Sequence, residues 1–206
     1  MLGLALAIVL FMWLPSTAFN LINRIEGVNI DEFRALFEGT VKILIFVLYM
    51  FCVSFMKDIK RVFMYHGAEH KSIFCYEKGL ELTVENVRMQ KRFHPRCGTS
   101  FMILMLIVSI LLSYLLTLIP AVSWLAQNYS IVWVIIKLLL LPLTCGIGYE
   151  LIRISGRYDN IVTRIISAPG VWLQHVSTKE PDDSMIEIAI EALKAVIPEN
   201  SEDDNW

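Results

Sequence analysis

The chain has 206 residues, 56% of them hydrophobic and only 18% charged, with a formal net charge of −2. Both fractions lie outside the ordinary soluble range, which excludes a simple water-soluble domain and requires the surplus apolar residues to find a nonaqueous surrounding. Long uncharged runs hold that surplus, and they point to an all-α, polytopic membrane protein with four transmembrane helices.

The first run, Met1 to Ile22, is long enough to approach the roughly 20 residues that cross a hydrocarbon layer. A cleaved secretory signal is the competing reading, since Leu2 to Leu14 has the length of a signal core and Ser16, Thr17 and Ala18 are small. Against it, no Lys or Arg precedes the run and the apolar character resumes at Phe19. An outer loop over 23–38 follows, then a second span over 39–56, in which Lys42 can reach the headgroups along its alkyl stem. The third span is expected over 99–119 and the fourth over 130–150, joined by a short turn. Lys137 is read in the same way as Lys42, from the outer end of the fourth span.

Orientation follows from the cations, because Lys and Arg in short loops resist translocation. The segment 57–98 holds nine of them, whereas the loop 23–40 holds only Arg24 and Arg34. Segment 57–98 is therefore expected in the cytoplasm, and an even number of spans puts both termini there, in a multi-pass plasma (inner) membrane protein. Arg153, Arg157 and Arg164 after the last span agree with this. The tail 151–206 is expected to pair a helix-turn-helix at the headgroup level, over Ile161 to Val176 with Pro169 and Gly170 inside it, with an amphipathic helix. That second helix opens on a Ser184/Glu187 capping box and ends at Pro198. The far end is acidic, two cations against nine anions over 177–206, and a run such as Glu202-Asp203-Asp204 reads as a solvated terminus.

The chemistry concentrates in the cytoplasmic segment. His66-Gly67-Ala68-Glu69-His70 places two imidazoles four residues apart, hence on one helix face about 6 Å apart along the axis, where they can share one ion. Glu69 completes an H-x-x-E-H order, in which the carboxylate is expected to act as general base while the histidines hold zinc. The bland reading is a polar helix with solvated histidines. A second cluster, His94-Pro95-Arg96-Cys97-Gly98, sets an imidazole and a thiol around a proline, and nitrogen with sulfur favours zinc or another divalent transition metal over magnesium or calcium. The expected metal ligands are His66, His70, His94 and Cys97, with Glu69 as the catalytic group.

Other cysteines and carboxylates are weaker. Cys52 and Cys145 fall inside spans as packing residues, and Cys75 lies about 180° around the helix from His66. Glu77 returns to the His66 face but about 16 Å along the axis, with Gly79 ending the helix, so it is a second-tier candidate. Glu150, at the inner end of the fourth span, is another, with Arg153 as its ordinary partner.

These residues carry a resemblance. Tyr65-His66-Gly67-Ala68-Glu69-His70-Lys71, Leu82 to Arg88, His94 to Ser100, Tyr149 to Arg153 and Glu180-Pro181-Asp182-Asp183 are similar to motifs of a bacterial membrane protein family of unknown function, the YqhQ-like proteins, described as predicted metal-dependent enzymes. The resemblance implies a multi-span membrane location and a metal on His66, Glu69, His70, His94 and Cys97, and it supplies no substrate. Family members usually carry a glycine-rich soluble segment before the first span, whereas this chain opens in an apolar run, so any contact from such a segment falls outside this reading.

Two functions follow as expectations. One is a zinc-dependent hydrolase at the cytoplasmic membrane surface, with an open metal position beside Glu69. The other is a noncatalytic scaffold or regulatory protein whose four side-chain ligands close the site. A metal transporter is weaker, because the spans offer only Cys52, Cys145 and methionines as soft ligands. The expected partner is the lipid bilayer, with no nucleic acid, an unknown substrate, and homo-oligomerisation left open.

Overall fold

The computed structural model of the chain describes residues 2–25 and 31–198, and all regular structure among these is helical. The acidic run at Glu202 to Asp204 lies outside the described residues. In chain order the helices are α1 (Leu2–Ile8), α2 (Leu14–Asn23), α3 (Arg34–Val53), α4 (Lys57–Glu77), α5 (Val84–Arg88), α6 (Gly98–Thr117), α7 (Pro120–Asn128), α8 (Ser130–Leu139), α9 (Leu141–Arg157), α10 (Ile161–Ser177) and α11 (Asp183–Lys194). Three stretches are helical and apolar enough to cross a membrane, namely Ala5–Asn23, Asp31–Val53 and Gly98–Thr117. A fourth arises if α8 and α9, bent by 41° at their junction, count as one span.

Several boundaries differ from the sequence reading, each for a local reason. The second long helix begins at Arg34 rather than Gly39, because an Arg34–Glu38 pair at 3.0 Å supports a turn before the apolar run. The expected turn at 120–129 contains α7, with Pro120 in its first turn where a missing N–H costs nothing. The fourth span breaks at Leu140, since Pro142 cannot donate to the preceding turn and crowds it. A π-helical turn at Val9–Trp13 precedes Pro15 for the same reason.

The chain divides into two compact units, Met1–Leu48 with Met102–Glu150, and Tyr49–Phe101 with Leu151–Trp206. In the first, Phe19 is buried edge-on to Phe37, and Gly39 lies so close to Ile110 that an added Cβ would meet its side chain at 2.5 Å. Ser16 donates to Glu38 at 3.1 Å, which leaves this carboxylate with two partners.

In the second unit, the expected metal-site loop is mostly helix. Its core is Ala68 and Cys75 of α4, Val87 of α5, and Met185, Ile186 and Ile190 of α11. α4 ends in a Schellman turn, with Gly79 at φ 66° and the N–H groups of Gly79 and Leu80 returning to the carbonyls of Tyr76 and Cys75. α10 continues as one helix through Pro169 instead of turning there, because the residues after it are docked: Gly170 lies against Ser100, and Leu173 and Gln174 are fully buried. α11 starts earlier than the Ser184 box implied. Asp182 is its cap, accepting from the Met185 N–H at 3.0 Å and from the Ser184 hydroxyl at 2.7 Å.

Candidate metal centre

α4 aims His66 and His70 to one side, with ring centroids 4.4 Å apart, as the four-residue spacing requires. Cys97, at the start of α6, comes against them, and one ligand-type atom from each of His66, His70 and Cys97 lies within 4.8 Å of the other two. His66 Nε2 is 3.2 Å from Cys97 Sγ.

The remaining ring nitrogens define the tautomers. His66 Nδ1 lies 2.8 Å from the carbonyl oxygen of Ser177, and His70 Nδ1 lies 2.5 Å from that of Arg92. A carbonyl oxygen only accepts, so each Nδ1 carries the hydrogen and each neutral ring turns its Nε2 lone pair inward. Outer hydrogen bonds of this kind orient metal-ligating histidines and raise their basicity.

Both carbonyls are placed by tertiary contacts. An added Cβ on Gly67 would meet the Lys179 carbonyl oxygen at 2.1 Å, so only glycine lets the chain after α10 pass this close and bring Ser177 to His66. The Lys179 N–H donates to the Phe63 carbonyl at 2.8 Å and pins that passage. Around Arg92, buried Lys71 donates to the Arg88 carbonyl at 2.9 Å and pairs with Glu180, which also takes the Arg92 guanidinium at 3.4 Å.

Cys97 is held by the 94–97 turn, and the turn is held by Gln174. The fully buried Gln174 side chain accepts from the His94 N–H and donates to the His94 carbonyl, each at 2.7 Å, and its amide also reaches the Ser100 hydroxyl at 2.8 Å. Thr99 Oγ1 stands 3.2 Å from the sulfur. Burial opposes ionisation of the Cys97 thiol, but the hydrogen bonds that the thiolate accepts from Nε2 of His66 and His70, once a proton occupies those positions in the metal-free site, and from Thr99 outweigh it and bring the thiol down to about 5. For His66, burial disfavours the charged ring, and the hydrogen bond and charge of Cys97 more than compensate, so its pKa is raised.

His94 is placed differently from the other expected ligands. The Arg96 N–H donates to its Nδ1 at 3.1 Å, so Nε2 carries the hydrogen and donates to Glu77 Oε2 at 3.2 Å. This is the opposite tautomer, with both nitrogens engaged, and His94 does not join the convergent group, although its ring stands 5.8 Å from that of His70. Glu77, remote from His66 along an isolated helix, instead clasps the second cluster by accepting from both His94 and Arg96. Burial works against its ionisation, but His94 and Arg96 prevail and hold its carboxyl below the usual range.

Glu69 projects from the exposed side of α4, within electrostatic reach of His66. Glu150 is exposed in the first unit and outside the convergent group. Cys75 packs in the core, its sulfur 3.5 Å from the Glu81 carbonyl. Sequence reasoning missed Gln174, Ser177 and Thr99. Only the fourth histidine, His175, marks α10 as a helix near this chemistry, and its Nδ1 meets the Trp172 carbonyl instead.

The architecture and site thus define a helical protein with three or four membrane-length apolar helices and a convergent His-His-Cys cluster. The chain belongs to the family described as "Protein of unknown function (DUF1385)", whose profile matches residues 1–199. It is 38% identical over 161 residues to "Uncharacterized protein YqhQ" of Bacillus subtilis (strain 168), an overlap covering 78% of this chain. That overlap is 48% of the relative, so the chain spans about half the length of the curated protein it matches. No solved structure gives a significant match.

Proposed function

We propose that this protein is a membrane-embedded, metal-dependent hydrolase that holds a divalent transition metal, zinc foremost, on His66, His70 and Cys97 at the cytoplasmic surface. The observation that carries this reading is the matched pair of tautomers: both histidines give Nδ1–H to a backbone carbonyl and turn a lone pair toward one thiol. A thiol at about 5 is a thiolate at neutral pH, which is the form that binds metal. One sulfur and two nitrogens suit zinc.

Three protein ligands favour a catalytic site over a structural one, because a structural zinc is normally closed by four. A bound zinc would supply Lewis-acid polarisation and make water acidic near neutral pH. The chain's own part is to orient the ligands through Ser177 and Arg92, and to offer the Glu69 carboxylate as general base beside His66. The scaffold reading needs His94 as fourth ligand, and His94 would first have to release the Arg96 N–H or reverse its tautomer toward Glu77. In the membrane we place segment 57–98 and both termini in the cytoplasm, since the cations cluster there.

The test is elemental analysis of the purified chain and its variants, with turnover on a panel of lipid and peptide esters. His66→Ala and Cys97→Ala are expected to lose the metal, and Glu69→Gln to keep it while turnover falls about 100-fold or more. Metal content unchanged in both ligand variants would overturn the site, and full turnover in metal-loaded Glu69→Gln would overturn the catalytic claim.

A further inference from the structure

α10 has two unlike faces. One is buried and builds the site, through Gly170 against Ser100, Gln174 on His94 and Ser177 on His66. The other is apolar and bare: Ile161, Ile165 and Trp172 are 74%, 67% and 60% exposed. At about 100° per residue, these three and Ala168 fall within about 60° of one another, a narrow stripe along the helix. Beside it runs a shallow groove of about 450 Å³, with Ala168, Val171 and Trp172 contributing apolar surface and Arg164, Ser167 and His175 polar groups. An exposed apolar stripe with polar edges marks a contact surface.

We propose that this face of α10 seats in the headgroup layer of an anionic lipid bilayer. Connectivity is the first reason. Ile161 stands four residues after Arg157, the end of the bent fourth apolar stretch, so the start of α10 cannot lie more than about 14 Å from that end. If α9 leaves a bilayer, α10 begins at its surface. Charge is the second reason. α10 contains Arg164 and His175 and no carboxylate, and Arg153 and Arg157 precede it. Asp159 pairs with Arg164 at 2.7 and 3.0 Å and offsets one charge, so three arginines against one aspartate leave residues 153–177 with a net charge of +2, which complements lipid phosphates. The third is Trp172, whose amphipathic indole is of the type enriched at membrane interfaces.

The consequence for the site is mechanical. The helix that holds the His94 turn and the Ser177 carbonyl is itself held at the lipid surface, with the cluster on its opposite, protein-packed face. The proposal is independent of whether a metal binds.

The test uses the full chain reconstituted in phosphatidylcholine–phosphatidylglycerol vesicles, with acyl chains brominated at the 6,7 positions or unbrominated. Subtracting the emission of Trp172→Phe from that of the wild type isolates Trp172. Bromine is expected to quench this difference signal at least twofold, with little effect of aqueous iodide. Quenching by iodide but not bromine would put the face in water, and protection from both would put it under a second copy or another segment. Either result overturns the proposal.

Discussion

Gln174 pairs with the backbone of His94 as a second strand would, accepting from its N–H and donating to its carbonyl at 2.7 Å each, 80 residues away along the chain. One side chain thereby satisfies both polar groups of a buried residue and sets the turn that delivers Cys97. Gln174→Leu keeps the volume but orphans both groups, at roughly 1–3 kcal/mol each. The expected result is a loss of about 2–6 kcal/mol in denaturant unfolding, with weaker metal retention. Unchanged stability would mean that the pairing does not hold the turn.

Gly67 and Gly98 flank the cluster and should respond oppositely to a methyl group. A Cβ on Gly67 collides with the Lys179 carbonyl oxygen, whereas one on Gly98 meets nothing within 4 Å. Gly67→Ala should displace residues 177–179, break the His66–Ser177 hydrogen bond and lower the melting temperature by several degrees. Gly98→Ala should stay within about 0.5 kcal/mol of the wild type. Thermal melts of the two variants side by side check the contrast.

The pH response of the metal-free protein follows from Cys97. Its thiol is depressed from 9.0 to about 5 in the folded chain, so the folded state binds fewer protons than the unfolded one across that window. Stability from this group is therefore full above about 9 and is lost as the pH falls through about 5. Thiolate absorbance near 240 nm, corrected with Cys97→Ser, should titrate with a midpoint of about 5. A midpoint near the ordinary thiol value would contradict the hydrogen-bonded thiolate.

Glu77 offers a way to separate the clasp from the ligands. Its carboxyl lies below the usual range because His94 and Arg96 outweigh the effect of burial. Its contribution is present above the ordinary carboxylate value of 4.5 and is lost as the pH falls through its lowered one. Glu77→Gln should therefore flatten acid unfolding while leaving the metal stoichiometry intact. Loss of metal in this variant would make His94 or Glu77 part of the ligand set.

Both polar clusters were legible in the sequence because their chemistry is local. A four-residue spacing aligns His66 with His70, and a histidine and a cysteine three residues apart around a proline mark a rigid turn. The division of labour between the two clusters was not legible. His94 differs from His66 and His70 through its tautomer, which depends on the Arg96 N–H and on Glu77, a residue that helix geometry alone had set aside. Gln174 and Ser177 reach the site only because α10 docks whole, and Pro169 had argued for a break there. Burial of Gly170, Leu173 and Gln174 overrides that local signal. The long apolar runs announced the membrane-length helices, but capping and proline geometry moved their ends, as at Arg34, Leu140 and Asp182.

The central claim is that one cation binds between His66, His70 and Cys97, and cobalt substitution followed by zinc X-ray absorption tests it most directly. The account predicts a near-ultraviolet sulfur-to-cobalt charge-transfer band that disappears in Cys97→Ser but survives in His94→Ala, and a zinc spectrum with one sulfur near 2.3 Å and nitrogen or oxygen near 2.0–2.1 Å. A metal-loaded protein with no sulfur in its shell, or with a band that persists in Cys97→Ser, would contradict it.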